Sequence, residues 1–145
     1  MGGHFWTDPH GELRSAAVGA EFDLVVSLFS RSGHGPDPGV EHLVAELPDG
    51  PLTAGQLRSA GELARAAANA VQEGRTVLVR CHAGYNRSGL VVAQTLIDLG
   101  SDAAGAIELI RRRRSPWALY NETFEQYLMT GLDIAYLLAG LEAPA

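Results

Sequence analysis

The 145-residue sequence contains a single cysteine, Cys81, and no lysine. One cysteine excludes an internal disulfide and is typical of proteins in the reducing cytoplasm, so we predict a cytoplasmic protein. No stretch approaches the ~20 consecutive apolar residues that cross a bilayer. The first residues also lack a basic region followed by an apolar one. We therefore expect neither a membrane span nor a secretory signal.

Charge is sparse, and its balance is negative. The formal net charge is −6, and all eleven basic residues are arginines. An acidic chain is a poor general binder of nucleic acid, so nucleic acid is not an expected partner, and an anionic substrate would need a local positive site. The length and the 46% hydrophobic content suffice for one core. We predict a single domain over residues 1–145.

The segment around Cys81 has the pattern of a strand, a tight loop and a helix. Residues 76–79 form a short apolar run rich in β-branched residues, which predicts a buried strand. Residues 90–99 form an apolar stretch of helical length that ends at Gly100. The loop between them begins with Cys81 and reaches Arg87 six positions later. Such a turn directs backbone N–H groups and a positive helix end into one bowl, which suits an anion.

A cysteine and an arginine at the rim of an anion site predict phosphate ester chemistry. The reactive form of cysteine is the thiolate, which an ordinary thiol populates to only a few per cent at pH 7. N–H donors, a helix N-terminus and a guanidinium all favour the charged form of a thiol. The planar Arg87 side chain can bind two phosphate oxygens at once. We predict attack by Cys81 on a phosphate ester through a phosphocysteine intermediate; the alternative for a lone cysteine is a buried apolar role.

Four residues of the loop resemble a family signature. Cys81, Gly84, Arg87 and Ser88 match the Cys-x5-Arg-Ser/Thr pattern of the cysteine-dependent phosphatases. The resemblance implies that Cys81 and Arg87 are catalytic, and that Ser88 helps the thiolate leave when water cleaves the intermediate. It also implies a substrate-binding loop that comprises His82, Ala83, Gly84, Tyr85, Asn86, Arg87 and Ser88.

Asp49 is the best candidate for the acid that protonates the leaving oxygen. It follows an expected strand, lies in the turn Pro48–Pro51 and precedes Cys81 by 32 positions. This resembles the dual-specificity phosphatases, in which an aspartate loop precedes the nucleophile by a similar interval with one helix between. Asp37 is the rival candidate, and an ordinary turn aspartate is the alternative interpretation of Asp49.

The expected fold is an α/β domain of three layers, with a small central, mostly parallel sheet of four or five strands flanked by helices. A capping box at Thr53 opens the helix before the Cys81 strand. The bowl lies at the carboxyl end of its strand, where open α/β sheets bind ligands. The expected strands are 22–28, 40–47 and 76–80, and the expected helices are 53–73, 88–99, one capped at 101 or 102, and a last one from Asn121 to Leu138.

Several residues near the loop permit two interpretations. The family usually has histidine before the nucleophile, where it orients the cysteine, and this chain has Arg80. Tyr85 either forms a substrate wall or packs beneath the loop. The four arginines of 111–114 form either a solvated helix end or a basic patch that recruits polyanions. Trp117 and Tyr120 are expected to be packing anchors rather than a substrate clamp.

The expected function is that of a phosphatase of the dual-specificity kind, which acts on phosphotyrosine and on phosphoserine or phosphothreonine in proteins. The expected partner is a phosphorylated protein, and the expected state is a monomer without metal or cofactor. Residues 84–88 also resemble the loop of RNA 5′-triphosphatases of the same superfamily, so an RNA 5′-phosphate is the alternative substrate. A pseudophosphatase that binds phosphate without turnover is the alternative of another class.

Overall fold

The structure is a computed structural model that describes residues 1–142. It contains five short strands and five helices in that part of the chain. The strands are β1 (Phe5–Thr7), β2 (Leu13–Ser15), β3 (Leu24–Ser27), β4 (Glu41–Val44) and β5 (Val77–Arg80). The helices are α1 (Ala54–Gln72), α2 (Arg87–Asp98), α3 (Ala103–Arg113), α4 (Glu122–Thr130) and α5 (Leu132–Glu142).

The central sheet is parallel and has the strand order β4-β3-β5. Leu24 of β3 aligns with Glu41 on one side and with Val77 on the other. The α/β class with a small parallel sheet is therefore confirmed, but this sheet has three strands rather than four or five. The reason is that β1 and β2 pair only with each other, in a separate antiparallel hairpin. Within residues 1–142, only the backbone at Gly2 continues the central sheet, by one bridge to Arg80.

The two faces of the central sheet have different surroundings. Leu24, Val26 and Val79 belong to a hydrophobic cluster to which all five helices contribute. Because side chains alternate along a strand, Ser27 and Arg80 lie on the opposite face, where both are buried. The N-terminal segment and the loop around residue 34 cover that face near Arg80. The helical face is thus apolar, whereas the other face buries polar groups.

Helix α1 begins as its sequence predicts. The Thr53 hydroxyl accepts the Gln56 N–H at 3.2 Å, and the Gln56 side chain accepts the Thr53 N–H at 2.9 Å. This reciprocal pair satisfies two of the donors that a helix leaves free at its N-terminus. Its buried face is rich in alanine, which permits close packing on α2. The helix ends before Gly74, which has a φ of +78°.

The last predicted helix is wrong in one respect. Its start at Asn121 is confirmed, since the Asn121 side chain accepts the N–H of Phe124. The helix does not continue to Leu138, however, because Gly131 has a φ of +104° and separates α4 from α5. Glycine adopts this left-handed backbone without the steric penalty of a Cβ atom.

No helix within residues 1–142 combines the length and apolar character needed to cross a membrane.

Candidate active site

The loop between β5 and α2 surrounds the side chain of Cys81, which is 2% exposed. Its Sγ accepts the backbone N–H of Gly84 at 3.2 Å and lies 3.3 Å from Ser88 Oγ. The loop therefore closes over the sulfur with one backbone donor and one hydroxyl. Donors in these positions stabilise a thiolate through charge-assisted hydrogen bonds.

Gly84 is required by the backbone geometry of the loop. Its φ is +78°, and a Cβ atom there would lie 2.6 Å from the carbonyl carbon of Gly2. A side chain at Gly3 would similarly lie 2.8 Å from the His82 carbonyl oxygen. The sequence pattern predicts a glycine within the loop, but it does not indicate that the N-terminal segment packs against it.

The arginine end of the loop coincides with the start of α2. Asn86 is the N-cap residue, yet its side chain makes no capping hydrogen bond. The first N–H groups of the helix are therefore not consumed by a cap and remain available to an anion. Arg87 donates from Nη1 to the Leu47 carbonyl at 3.1 Å, and its guanidinium carbon lies 5.8 Å from the centre of the Phe29 ring.

The Nε of Arg87 is a donor that no protein group within residues 1–142 uses. It is buried and has no hydrogen-bond partner among these residues. A buried donor without a partner is costly, and such groups usually acquire one from a ligand or from water. A phosphate oxygen would supply that partner.

Asp49 lies against this loop from the side of β4. Its Oδ2 accepts the Asn86 side-chain N–H at 3.1 Å, and its Oδ1 accepts the Asn121 side-chain N–H at 2.8 Å. Asp37, the rival candidate, lies instead beside Gly19, to whose carbonyl its backbone N–H donates at 3.1 Å. Of the two aspartates, the structure thus brings Asp49 to the loop that holds Cys81.

The other loop residues differ in what they present to a substrate. His82 and Ala83 are exposed, and the His82 ring packs edge-on against Phe29 at 5.0 Å between ring centres. The Asn86 side chain is 3% exposed and is committed to Asp49, so a substrate contact from this residue would come from its backbone. Tyr85 is half-buried, and Arg114 lies over its ring at 5.2 Å.

The arginine run divides into two kinds of residue. Arg111 forms an ion pair with Glu125 at 3.0 Å and donates to the carbonyls of Ala118 and Leu119. Arg114 donates to the Gly84 carbonyl at 3.1 Å and so supports the loop from outside. The two central arginines of the run are exposed. Neither a solvated helix end nor a basic patch describes the whole run.

Trp117 and Tyr120 are not packing anchors. They are 71% and 61% exposed, which overturns the expectation from sequence. Between them, Leu119 is fully buried and donates its N–H to the Tyr85 carbonyl at 3.1 Å. Leu119 rather than the aromatic residues therefore anchors this segment to the loop that holds Cys81.

A search of solved structures connects this geometry with known proteins. Tk-PTP in its active form is 30% identical, with a TM-score of 0.60 over 79% of this chain and 80% of that chain. The chain belongs to the cysteine-dependent protein tyrosine phosphatase superfamily. Human DUSP28 is 26% identical, with a TM-score of 0.65 over 86% of this chain and 79% of that one. The fold is therefore dual-specificity phosphatase-like.

More distant likenesses concern the fold alone. The tyrosine phosphatase OH1 from the Orf virus is 19% identical, with a TM-score of 0.58 over 77% of this chain and 70% of that chain. No family sequence model and no curated protein sequence matches the chain.

Arg80 stands where the superfamily usually has histidine, and it does not enter the bowl. Its side chain is buried, donates from Nε to Ser27 Oγ at 3.1 Å and donates from Nη2 to the His34 carbonyl. Its Nη1 has no partner, and no carboxylate within residues 1–142 pairs with it. Burial lowers the pKa of Arg80, but a guanidinium remains charged. A buried cation without a counter-ion within residues 1–142 therefore directly precedes Cys81 in the chain.

His4 is a part of the site that the sequence did not indicate. It is fully buried, and its Nδ1 donates to the Cys81 carbonyl at 3.0 Å. Since a carbonyl only accepts, Nδ1 must carry the hydrogen. Burial, assisted by the charge of Arg80, lowers the pKa of His4 and favours the neutral ring. The residues are 77 positions apart, so no local pattern could reveal this contact.

No three His, Cys, Asp or Glu side chains in the described part of the chain are grouped as a metal site would require.

Proposed function

We propose that the protein is a cysteine-dependent phosphatase that hydrolyses phosphate monoesters, with phosphotyrosine in proteins as the principal substrate and phosphoserine and phosphothreonine as further ones. The observation that carries this proposal is the pairing of the enclosed Cys81 thiol with a buried, unpartnered Arg87 Nε on one loop. Membership of the superfamily supports it. The protein is further proposed to act as a cytoplasmic monomer on a phosphorylated protein.

In the first proposed step the Cys81 thiolate attacks phosphorus. An S–P bond forms while the bond to the leaving oxygen breaks, and protonated Asp49 transfers its proton to that oxygen. Arg87 and the free N–H groups of α2 bind the phosphoryl oxygens as charge redistributes. The side chain that the substrate releases leaves as a neutral alcohol or phenol.

In the second proposed step water attacks the phosphocysteine. The Asp49 carboxylate accepts a proton from this water, so the same residue acts first as acid and then as base. The S–P bond breaks and the thiolate is restored. Ser88, whose Oγ lies 3.3 Å from Cys81 Sγ, donates to the departing sulfur. The products are inorganic phosphate and the enzyme in its starting protonation state.

An RNA 5′-phosphate is the second candidate substrate, and one observation favours it. Trp117 and Tyr120 expose their rings on the segment that Leu119 ties to Tyr85. Exposed aromatic rings beside a phosphate site can stack on nucleobases. The net charge of −6 opposes extended contact with nucleic acid, so a short 5′ end would be the relevant substrate.

The test is the hydrolysis of 4-nitrophenyl phosphate in the presence of a metal chelator. We expect turnover by the wild type and none by Cys81→Ser. Asp49→Asn should lower the rate by about 10²-fold or more when phenyl phosphate, whose leaving group is not activated, replaces 4-nitrophenyl phosphate in the same assay. Asp37→Asn is the matched control and should retain full activity. Phosphopeptides and RNA with a 5′-triphosphate then compare the two substrate classes. A folded wild type that binds vanadate without turnover would instead favour the pseudophosphatase.

A further inference from the structure

Asn121 joins three parts of the molecule. Its Oδ1 accepts the Phe124 N–H at 3.3 Å and so caps α4. Its Nδ2 donates to Asp49 Oδ1 at 2.8 Å, and its backbone N–H donates to Asn86 Oδ1 at 3.0 Å. One residue therefore contacts a helix start, the aspartate loop and the loop that holds Cys81.

Asn86 completes the arrangement from the other side of the carboxylate. Its Nδ2 donates to Asp49 Oδ2 at 3.1 Å. Each carboxylate oxygen of Asp49 thus accepts one amide N–H, and the two donors come from different elements. This restricts rotation of the carboxylate and movement of the segment that carries it. Each oxygen retains a second lone pair, so one of them can still bind a proton and donate it.

The orientation of both amides follows from their partners. The Oδ1 atoms of Asn121 and Asn86 face backbone N–H groups, which only donate. Turning either amide around would oppose two donors and direct an oxygen at the Asp49 carboxylate. A single orientation therefore satisfies the whole network.

We propose that Asn121 is a positioning residue that holds the Asp49 carboxylate over the loop for proton transfer to the leaving oxygen. This inference rests on the proposed function. A general acid is effective only when it lies within hydrogen-bond reach of the oxygen and has the correct direction. The Asp49 loop has no regular structure of its own, so its position depends on such contacts.

A capping role alone would not require asparagine. Serine and aspartate cap helices about as well as asparagine does. Serine is too short to extend an amide to Asp49, and aspartate offers no donor and brings a like charge. Asn121→Ser and Asn121→Asp therefore retain a cap for α4 while they remove the donor to the acid, which separates the two roles.

The test compares two leaving groups. Phenyl phosphate releases a phenol with a pKa of about 10, close to that of tyrosine, and depends on the acid. The phenolate of 4-nitrophenyl phosphate is a better leaving group and needs the acid less. We expect Asn121→Ser to lower kcat by about tenfold for phenyl phosphate and by less than about threefold for 4-nitrophenyl phosphate. Asn121→Asp should cause a larger loss with the same preference.

Asp102→Ala is the matched control. It removes a cap of the same kind from α3, where Asp102 Oδ1 accepts the Gly105 N–H at 2.6 Å, without touching Asp49. It should lower stability more than Asn121→Ser, which keeps its cap, and leave the ratio of the two activities unchanged. In the double variant Asp49→Asn with Asn121→Ser, the second change should cause no further loss for phenyl phosphate, because the acid is already absent.

The outcomes separate this inference from the proposed function. If Asp49→Asn shows the leaving-group-dependent loss but Asn121→Ser behaves like Asp102→Ala, the positioning role is wrong and the function stands. Equal losses on both substrates, or full additivity in the double variant, also overturn the positioning role. A wild type without turnover overturns the proposed function and this inference with it.

Discussion

Arg80 and Arg87 lie at the two ends of one loop, in opposite surroundings. Arg87 begins α2, donates to the Leu47 carbonyl and keeps a buried Nε without a hydrogen-bond partner within residues 1–142. Arg80 ends β5 on the far face of the sheet, where Ser27 and the His34 carbonyl are its partners. Proximity to Cys81 in the chain therefore does not decide which arginine can bind phosphate. The side-chain alternation of β5 directs Arg80 to the far face of the sheet, whereas Arg87 is the first residue of α2.

Replacing each of these arginines by lysine should give the largest difference in kcat/KM between the two positions. We expect Arg87→Lys to lower kcat/KM for an aryl phosphate by about 10²–10³-fold, because lysine cannot bind two phosphate oxygens in one plane. Arg80→Lys keeps a charge outside the bowl and should lose less than about tenfold. Arg112→Lys, at an exposed position, is the control. Losses of similar size at 80 and 87 would mean that both arginines bind the substrate directly.

Removal of the charge at position 80 should affect stability and activity in opposite directions. A buried cation without a counter-ion is costly, so Arg80→Met should leave the free energy of unfolding unchanged or raise it by about 1–2 kcal/mol. Because the Cys81 thiolate and the phosphate group would lose a nearby positive charge, kcat/KM should fall by about tenfold. Chemical denaturation and steady-state kinetics measure the two effects. Strong destabilisation with unchanged activity would assign Arg80 a purely structural role.

The smallest predicted effect is on the pH dependence of stability, and it comes from His4 and His42, which lie near Arg80. Burial lowers the pKa of His4 and of His42, and the charge of Arg80 adds to it in both cases. Ser27 accepts from Arg80 and so directs its own hydrogen to His42 Nε2, at 2.8 Å. Protonation of His42 would break this bond.

Because both pKa values are depressed in the folded state, the unfolded state binds more protons as the pH falls through about 6.5. Stability should therefore decrease between pH 7.5 and pH 5.5, by less than about 1.4 kcal/mol per pH unit for each histidine. His42→Gln and His4→Gln should each reduce this dependence in thermal unfolding. A variant with the same pH dependence as the wild type would contradict the assignment. Asp8 and Asp23, whose pKa values are lowered by their hydrogen bonds, titrate below this range.

The sequence predicted the elements on both sides of the Cys81 loop. The strand, the glycine turn and the start of α2 follow one another, so their signals are local and additive. The interval between Asp49 and Cys81 also indicated the aspartate that lies against this loop, because one helix, α1, fills the interval. The contacts of Asp49 with Asn86 and Asn121 agree with that choice.

The rest of the site depends on contacts between distant residues. His4 reaches the Cys81 carbonyl across 77 positions, and Asn121 reaches Asp49 across 72. Asn121 was recognised only as a helix cap, since a cap is a local signal whereas its hydrogen bond to Asp49 is not.

The exposure of Trp117 was also not predicted from the sequence. Hydrophobic character predicts burial on average, and here Leu119 occupies the buried position of the segment.

The most direct measurement of the central claim is the isolation of the covalent intermediate. Ser88→Ala should slow the hydrolysis of the phosphocysteine more than it slows the formation of the phosphocysteine. The phosphoenzyme should therefore accumulate during turnover of an aryl phosphate. The reaction is quenched rapidly in acid, and the peptides are analysed by mass spectrometry. We predict a phosphate on the peptide that contains Cys81, and none in Cys81→Ser. Continued turnover by Ser88→Ala at the wild-type rate, with Cys81 unmodified at every quench time, would contradict a phosphocysteine mechanism.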